Sequence, residues 1–285
     1  MKQGLFVGLT TLDLIYQAAQ LPDRNQKIVA TDYVVSAGGP ATNAAIAFRH
    51  LGNQATVLSV VGAHPMSHLI LTDLREQEVH LADLHPTRSE PPPVSSIIVT
   101  QATGERAVIS INTVNTPASP DQIPSQILQD IDIVLIDGHQ MAVGRSLAQQ
   151  AHSRNIPVVI DGGSWKSGFD SVLPFVTYAV CSANFHAPGC HSETDVISYL
   201  SDFNIPYIAI THGEKPITYR DRAQIGQIPV PTIPAVDTLG AGDIFHGAFC
   251  HFILHTDFVN ALEQSAQIAA HACQFFGTRR WMEEG

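Results

Sequence analysis

Asp237-Thr238-Leu239-Gly240-Ala241-Gly242-Asp243 runs straight into Ile244, Phe245, Ala248, Phe249, Phe252 and Ile253. The i, i+4, i+8 repeat marks one buried helical face, so the glycines stand where a helix begins. Amides in a first helical turn lack intrahelical partners and carry the positive end of the helix dipole, which draws a phosphate or another developing anion. An aspartate in that turn would repel a bound anion. The conflict disappears if Asp243 takes a proton from an attacking hydroxyl while the amides of residues 240–243 neutralise the group in transfer. Phosphoryl transfer to an alcohol is the chemistry implied. The same residues also fit a glycine-rich turn with an aspartate placed for capping, and local physics leaves both readings open.

Outward from this turn, short β-branched runs alternate with helical stretches. Strands are expected at 5–7, 56–58, 131–136, 157–160, 178–181 and 207–211, and crossover helices at 142–155 and 194–203. Continuous apolar runs suit strands buried on both faces, so the centre reads as β-α-β units on a mainly parallel sheet. Ligands gather at the carboxyl ends of such strands, where Asp137, Asp161 and Thr211 fall. Residues from about 13 to 36 and from about 93 to 112 break the rhythm. The second has a hairpin signature around Ala102-Thr103-Gly104. Together they predict a small β-layer projecting from the main sheet as a lid, within a single domain over 1–285.

Bulk properties narrow the function classes. The chain has 285 residues and a net charge of -11, without the clustered Lys and Arg that hold nucleic acid or anionic membrane. Met1 to Val7 enters a strand-like segment with no signal-peptide pattern, and no apolar run approaches bilayer length. A cytoplasmic protein is the expectation. Cys181, His186, Cys190 and His191 are zinc-type ligands in one short stretch, but their spacing matches no finger or knuckle. No metal-ligating side chains are expected.

A second glycine signature lies upstream, in Ser36-Ala37-Gly38-Gly39-Pro40-Ala41-Thr42-Asn43 and on to Gly52. Pro40 suits a first helical turn and Gly52 a C-terminal cap. The paired glycines admit a ligand close to the backbone, and Asn43 offers a donor and an acceptor from one turn into the helix, a pairing that matches a polyol. The alternative is a turn before an alanine-rich packing helix, with Asn43 making a local backbone bond.

The two segments together resemble the signatures of the ribokinase-like, or PfkB-type, carbohydrate kinases: GG-x-x-x-N early and D-T-x-G-A-G-D late. The resemblance spans nearly the whole chain. It implies a three-layer α/β/α sandwich with a β-sheet lid, ATP as phosphoryl donor with Mg²⁺, and a monovalent cation such as K⁺. By position it makes Asp243 the general base and Gly240, Ala241 and Gly242 the anion hole, with Asp237 and Thr238 orienting the loop. Asp13, Gly38, Gly39 and Asn43 become the sugar pocket. Thr211 and Gly213 resemble a nucleotide-contacting segment, and Gly277 a position near the adenine. A homodimer through the lid is implied as well.

Some positions depart from the family pattern. Its N-x-x-E motif keeps only Asn184 here, so Mg²⁺ is expected to bind through the ATP phosphates. His139, just after a central strand, is a candidate sugar contact. Arg106 and Lys166 are candidate cations for the transferring phosphate, since the chain has no Walker-type lysine. Two other functions stay open: a nucleoside kinase of the same family, with Tyr16 or Tyr33 as platform for the base, and a non-catalytic sugar-binding regulatory protein.

Overall fold

The computed structural model describes residues 1–111 and 116–283. In chain order the strands are β1 (Gln3–Val7), β2 (Thr11–Ala18), β3 (Asp32–Gly38), β4 (Gln54–Ser59), β5 (His80–Asp83), β6 (Val94–Thr100), β7 (Arg106–Ser110), β8 (Ile133–Ile136), β9 (Val158–Gly162), β10 (Tyr178–Ser182), β11 (Tyr207–His212), β12 (Lys215–Asp221) and β13 (Gln224–Ile228). The helices are α1 (Pro40–His50), α2 (Ser67–Glu76), α3 (Met141–Ser153), α4 (Glu193–Asp202), α5 (Ala241–Phe252) and α6 (Phe258–Ala272).

Nine strands form one sheet in the order β13-β12-β11-β10-β9-β8-β1-β4-β5. Pairing is parallel from β5 through β11 and antiparallel only at the β11-β12-β13 edge. Side chains alternate across it as the pleat requires. Leu5 and Val7 enter a core shared with Leu147 of α3 and Leu200 of α4, whereas Phe6 enters a second core with Phe48 of α1 and Phe249 of α5. A sheet coated on both faces accounts for the uninterrupted apolar runs. The chain leaves β1 toward β4 and β5, then returns to β8 on the other side of β1 and runs outward from there. That reversal makes the carboxyl ends of β1 and β8 a topological switch point, where open α/β sheets bind their ligands.

The second sheet has the order β3-β2-β6-β7. Its strands draw on the two stretches at about 13–36 and 93–112, with residues 19–31 and 101–105 lying between strands and Asn112 outside the described residues. It is mixed, since β2 pairs with β3 antiparallel but with β6 in parallel. Ile15, Ile97 and Val99 face the body of the protein and pack with Phe276, Val34 and Leu239. In the same inward set, Asp13 lies level with Ser36 on one side and Ser95 on the other, and Ser95 with Ser110. This polar row crosses the sheet beside an apolar one. Tyr16 and Tyr33 pair with each other on the opposite face.

Most expected strands and helices differ from the observed ones by one or two residues at an end. The edge hairpin β12–β13 and the helices α2 and α6 were not located by the periodic reading. Lys215–Asp221 mixes charged and apolar residues because β12, next to the edge strand β13, is only partly covered along its length, so it lacks the continuous run that marks the central strands.

Candidate functional site

Asp243 sits in the first turn of α5, whose N-cap is Gly240 in the left-handed region at φ 72°. The carboxylate does not cap its own helix. Instead Asn43 Nδ2, from the first turn of α1, donates to Asp243 Oδ2 at 2.9 Å. Asn43 therefore reaches across 200 residues of sequence, and the local backbone bond considered above is not what it makes. A Cβ at Gly240 would come within 2.9 Å of Thr278 Cγ2 and lie 3.6 Å from Asn43 Nδ2. The positive φ and the crowding both require glycine there. Ala241 and Gly242 complete the turn, and Gly242 is exposed.

The electrostatics of Asp243 follow from this placement. Burial and the negative charge of Asp161 push its carboxyl up to about 7, against the Asn43 hydrogen bond and His246. A carboxylate tuned to that range accepts a proton near neutral pH, beside amides that attract an anion. Asp161, the penultimate residue of β9, has Oδ2 3.7 Å from His246 Nδ1. His246, one turn along α5, spans Gly242 O at 2.7 Å and Val180 O at 3.0 Å, fastening the helix start to β10.

Asp13 is buried, with Thr11 Oγ1 donating to its Oδ1 at 2.6 Å. Burial raises its carboxyl above the usual range, opposed by hydrogen bonds from Thr11 and Ser95 and by the charge of Arg279. Its carboxylate fills the space beside Gly38, while Gly39, at φ 94°, lies against the carbonyl of Leu9. The adjacent Ser36 hydroxyl is buried and has no hydrogen-bond partner among the described residues. A buried hydroxyl of that kind suits a ligand that brings its own donors and acceptors.

Asp137, at the end of β8, is a structural node. Its Oδ2 accepts from Leu9 N at 2.8 Å and Ala41 N at 3.2 Å, and its Oδ1 from His139 N at 2.8 Å. It thus caps α1 from outside, since Gly39 offers no side chain to do so. Burial opposes the charge, but His139 and the amides outweigh it and hold the carboxyl below the usual range. His139 Nδ1 lies 3.2 Å from the same Oδ1, so its ring is tied to this node.

Asp237 joins two loops. Its Oδ1 accepts from Leu239 N at 2.8 Å and its Oδ2 from Gly277 N at 2.9 Å. Burial raises its carboxyl against those two amides and Arg106. Arg106 of β7 donates from Nη1 to Thr238 Oγ1 at 2.8 Å and to Thr238 O at 3.1 Å. The small sheet thereby touches the glycine turn. Lys166 lies over the Phe169 ring instead, 5.7 Å from its centroid.

Farther along the rim, Thr211 O accepts from Ala183 N at 2.9 Å, Asn184 is exposed, and Gly213 turns at φ 64° into β12. Arg279 was missed by the sequence reading, although its side chain donates to Asn43 Oδ1 at 3.1 Å. It belongs to no spacing pattern, and an isolated arginine pair near a C-terminus carries no signal of burial.

The pfkB family carbohydrate kinase model matches residues 1–284. The chain belongs to this family. As a member, this kinase uses ATP to phosphorylate a sugar or sugar-like alcohol. It is 22% identical over 280 residues to a ribokinase of Bacillus subtilis, covering 96% of this chain and 94% of that one. An ATP-dependent ribose-1-phosphate kinase of Halopiger xanaduensis is 25% identical over 274 residues, covering 96% and 90%. Among solved structures, ribokinase from Giardia lamblia superposes with a TM-score of 0.81 at 17% identity, covering 100% of the kinase and 98% of that chain. Arabidopsis thaliana ribokinase complexed with ribose and ATP gives 0.78 at 18%, covering 97% and 93%. These likenesses bear out the sandwich and its smaller sheet.

Kinases of this family work with Mg²⁺ alongside ATP. Among the described residues no group of three or more His, Cys, Asp or Glu side chains is placed to hold a metal ion. No helix among them is long and apolar enough to cross a membrane.

Proposed function

We propose that this kinase transfers the γ-phosphoryl group of ATP to a hydroxyl of a small polyol sugar, with Asp243 as general base. The carrying observation is the junction of Asp243 with Asn43 at the start of α5, which puts a proton acceptor, an amide and the helix N-terminus at one point. Asp13, Gly38, Gly39 and Asn43 form the sugar pocket in this reading, with His139 at its edge through Asp137. The amides of Gly240, Ala241 and Gly242 receive the phosphoryl group, and negative charge building on it meets the positive end of α5. Thr211, Gly213, Asn184 and Gly277 line the nucleotide side, with Asp237 and Thr238 holding the turn. A monovalent cation such as K⁺ belongs to the same reading, beside the Asp237–Gly277 junction.

The small sheet acts as the lid and as a dimer surface. Its outer face carries Tyr16, Tyr33, Val35 and Ile109, at 39%, 67%, 41% and 79% exposure, an apolar patch on an open sheet of the kind that marks an interaction surface. Both tyrosines face away from Asp13, so they offer no platform for a nucleobase in the pocket of their own chain. A sugar is therefore favoured over a nucleoside. The raised carboxyl of Asp243 disfavours a non-catalytic binding protein, which has no use for a tuned base.

An ADP-release assay across pentoses, hexoses, ketoses, sugar phosphates and nucleosides tests this, with Asp243→Asn as control. Turnover on one sugar class, lost in the variant while ATP binding persists, is the expected result. An Asp243→Asn enzyme of near-normal activity would overturn the assignment of the base.

A further inference from the structure

The guanidinium of Arg279 is held on several sides. Nη1 donates to Asn43 Oδ1 at 3.1 Å and to Thr278 Oγ1 at 2.9 Å, while Nη2 donates to Ala37 O at 2.5 Å and Asp73 Oδ2 at 3.2 Å. Asp73, from α2, also accepts from Ala37 N at 2.8 Å. The side chain is 11% exposed and its charge is balanced by Asp73. Arg279 makes no hydrogen bond to Asp243, and its nearest link to that carboxylate is Asn43.

An asparagine amide has an acceptor edge and a donor edge, and a guanidinium only donates. The edge of Asn43 that meets Arg279 must therefore be oxygen, which leaves the NH₂ edge for Asp243. With the amide reversed, NH₂ would meet a donor and oxygen would meet a carboxylate, both repulsive. An ionised Asp243 favours the same orientation, but a protonated carboxyl both donates and accepts and does not enforce it. Arg279, which only donates, holds the amide in this orientation in either state.

We propose that Arg279 is a positioning residue for phosphoryl transfer: it locks the Asn43 amide with its donor edge on Asp243 and fixes the base against the end of β3. The second part follows from Ala37, whose carbonyl is bound by the same guanidinium and which immediately precedes Gly38 and Gly39. One planar cation thus sets the root of a lid strand and the base in a common frame. Lysine cannot replace it, because a single ammonium lacks the rigid fork that reaches Asn43, Ala37 and Asp73 together.

This inference rests on Asp243 being the base, and the experiment separates the two. Arg279→Met, Arg279→Lys, Asn43→Ala and the double variant Arg279→Met/Asn43→Ala are compared for kcat, KM for ATP and thermal stability, with Asp243→Asn alongside. Arg279→Met is expected to lower kcat by about tenfold or more with KM for ATP changed less than about twofold, and Arg279→Lys to recover only part of it. Because the orienting role runs through Asn43, while the Ala37 contact and the charge near Asp13 do not, loss of Arg279 in the Asn43→Ala background should cost a clearly smaller factor than in the wild-type background. Equal losses in both backgrounds, or turnover within about twofold of wild type in Arg279→Met, would overturn the proposal. If Arg279→Met does not fold, Arg279→Lys in the two backgrounds makes the same comparison. An active Asp243→Asn enzyme overturns the base itself, whereas an inactive one beside an unaffected Arg279→Met removes only the positioning role.

Discussion

The carboxylate of Asp13 occupies the space in which a side chain at Gly38 would begin. Asp13 leans along β2 toward the end of β3, where Thr11 and Gly38 are register partners, and only a bare backbone leaves room for it. Gly38→Ala must displace either the carboxylate or a strand, at a cost of about 1–3 kcal/mol. Since Asp13 is the proposed hydroxyl acceptor, KM for the sugar should rise roughly tenfold or more while KM for ATP changes little. Steady-state kinetics with both substrates, together with melting curves, check this. An unchanged sugar KM in a folded variant places Asp13 outside the sugar pocket.

Asp243→Asn should remove turnover, by a factor on the order of 10²–10⁴ for loss of a general base, and should also stabilise the protein above neutral pH. The folded carboxyl is raised to about 7 from an ordinary value of 3.8, so the folded state holds on to a proton that the unfolded state releases. Wild-type stability therefore falls as pH rises from about 4 to about 7 through this group, and the asparagine variant escapes that loss. Melting temperatures of the two should nearly coincide at the acid end of the window and separate by a few degrees at pH 8. A gap that does not widen with pH contradicts the buried, raised carboxyl.

How far the sequence went toward this site can be read from particular residues. Gly240 to Asp243 and Gly38 to Asn43 are legible because each needs a special backbone followed by a helix, and glycine next to helical spacing records both. The pair they form is not legible in spacing alone, since Asn43 and Asp243 meet only when α1 and α5 pack side by side. Asp137 reads as a rim residue from its place directly after a strand, yet its work as a remote cap of α1 depends on a neighbour in the sheet that no local window contains. Arg279 left no trace at all. Its burial depends on Asp73, Ala37 and Asn43 converging from three other elements, which is a property of the assembled fold.

Asp137→Asn tests the remote cap. The aspartate accepts three backbone amides with its two oxygens. An asparagine keeps one oxygen and turns an NH₂ toward a donor in a fully buried place. The expected loss is about 2–4 kcal/mol, seen as a fall in melting temperature of roughly 5 °C or more. Its pH dependence runs opposite to that of Asp243. The folded carboxyl lies below the usual range, so its stabilisation is complete above the unfolded value and is lost only as pH falls through the lower folded one. The deficit of the variant should hold from pH 5 to 8 and shrink only in acid, a pattern readable in thermal melts.

The outer face of the small sheet gives the last prediction. Tyr33 and Ile109 lie on different strands of that face at 67% and 79% exposure, so burying them between two copies removes considerable apolar surface from water. Each large side chain contributes about 1.5–3 kcal/mol when fully covered. A glutamate at either position would carry its charge into the interface, and the cost of desolvating an unpaired carboxylate exceeds that gain. Ile109→Glu and Tyr33→Glu should shift the protein from dimer to monomer in light scattering at micromolar concentration. Ile225→Glu, on β13 at the far edge of the main sheet, is 69% exposed in the wild type and should leave assembly unchanged. Its contrast with the small-sheet variants distinguishes loss of a specific face from a general effect of added charge. A wild-type chain that stays monomeric at every concentration would remove the dimer and leave the patch as an exposed sheet face.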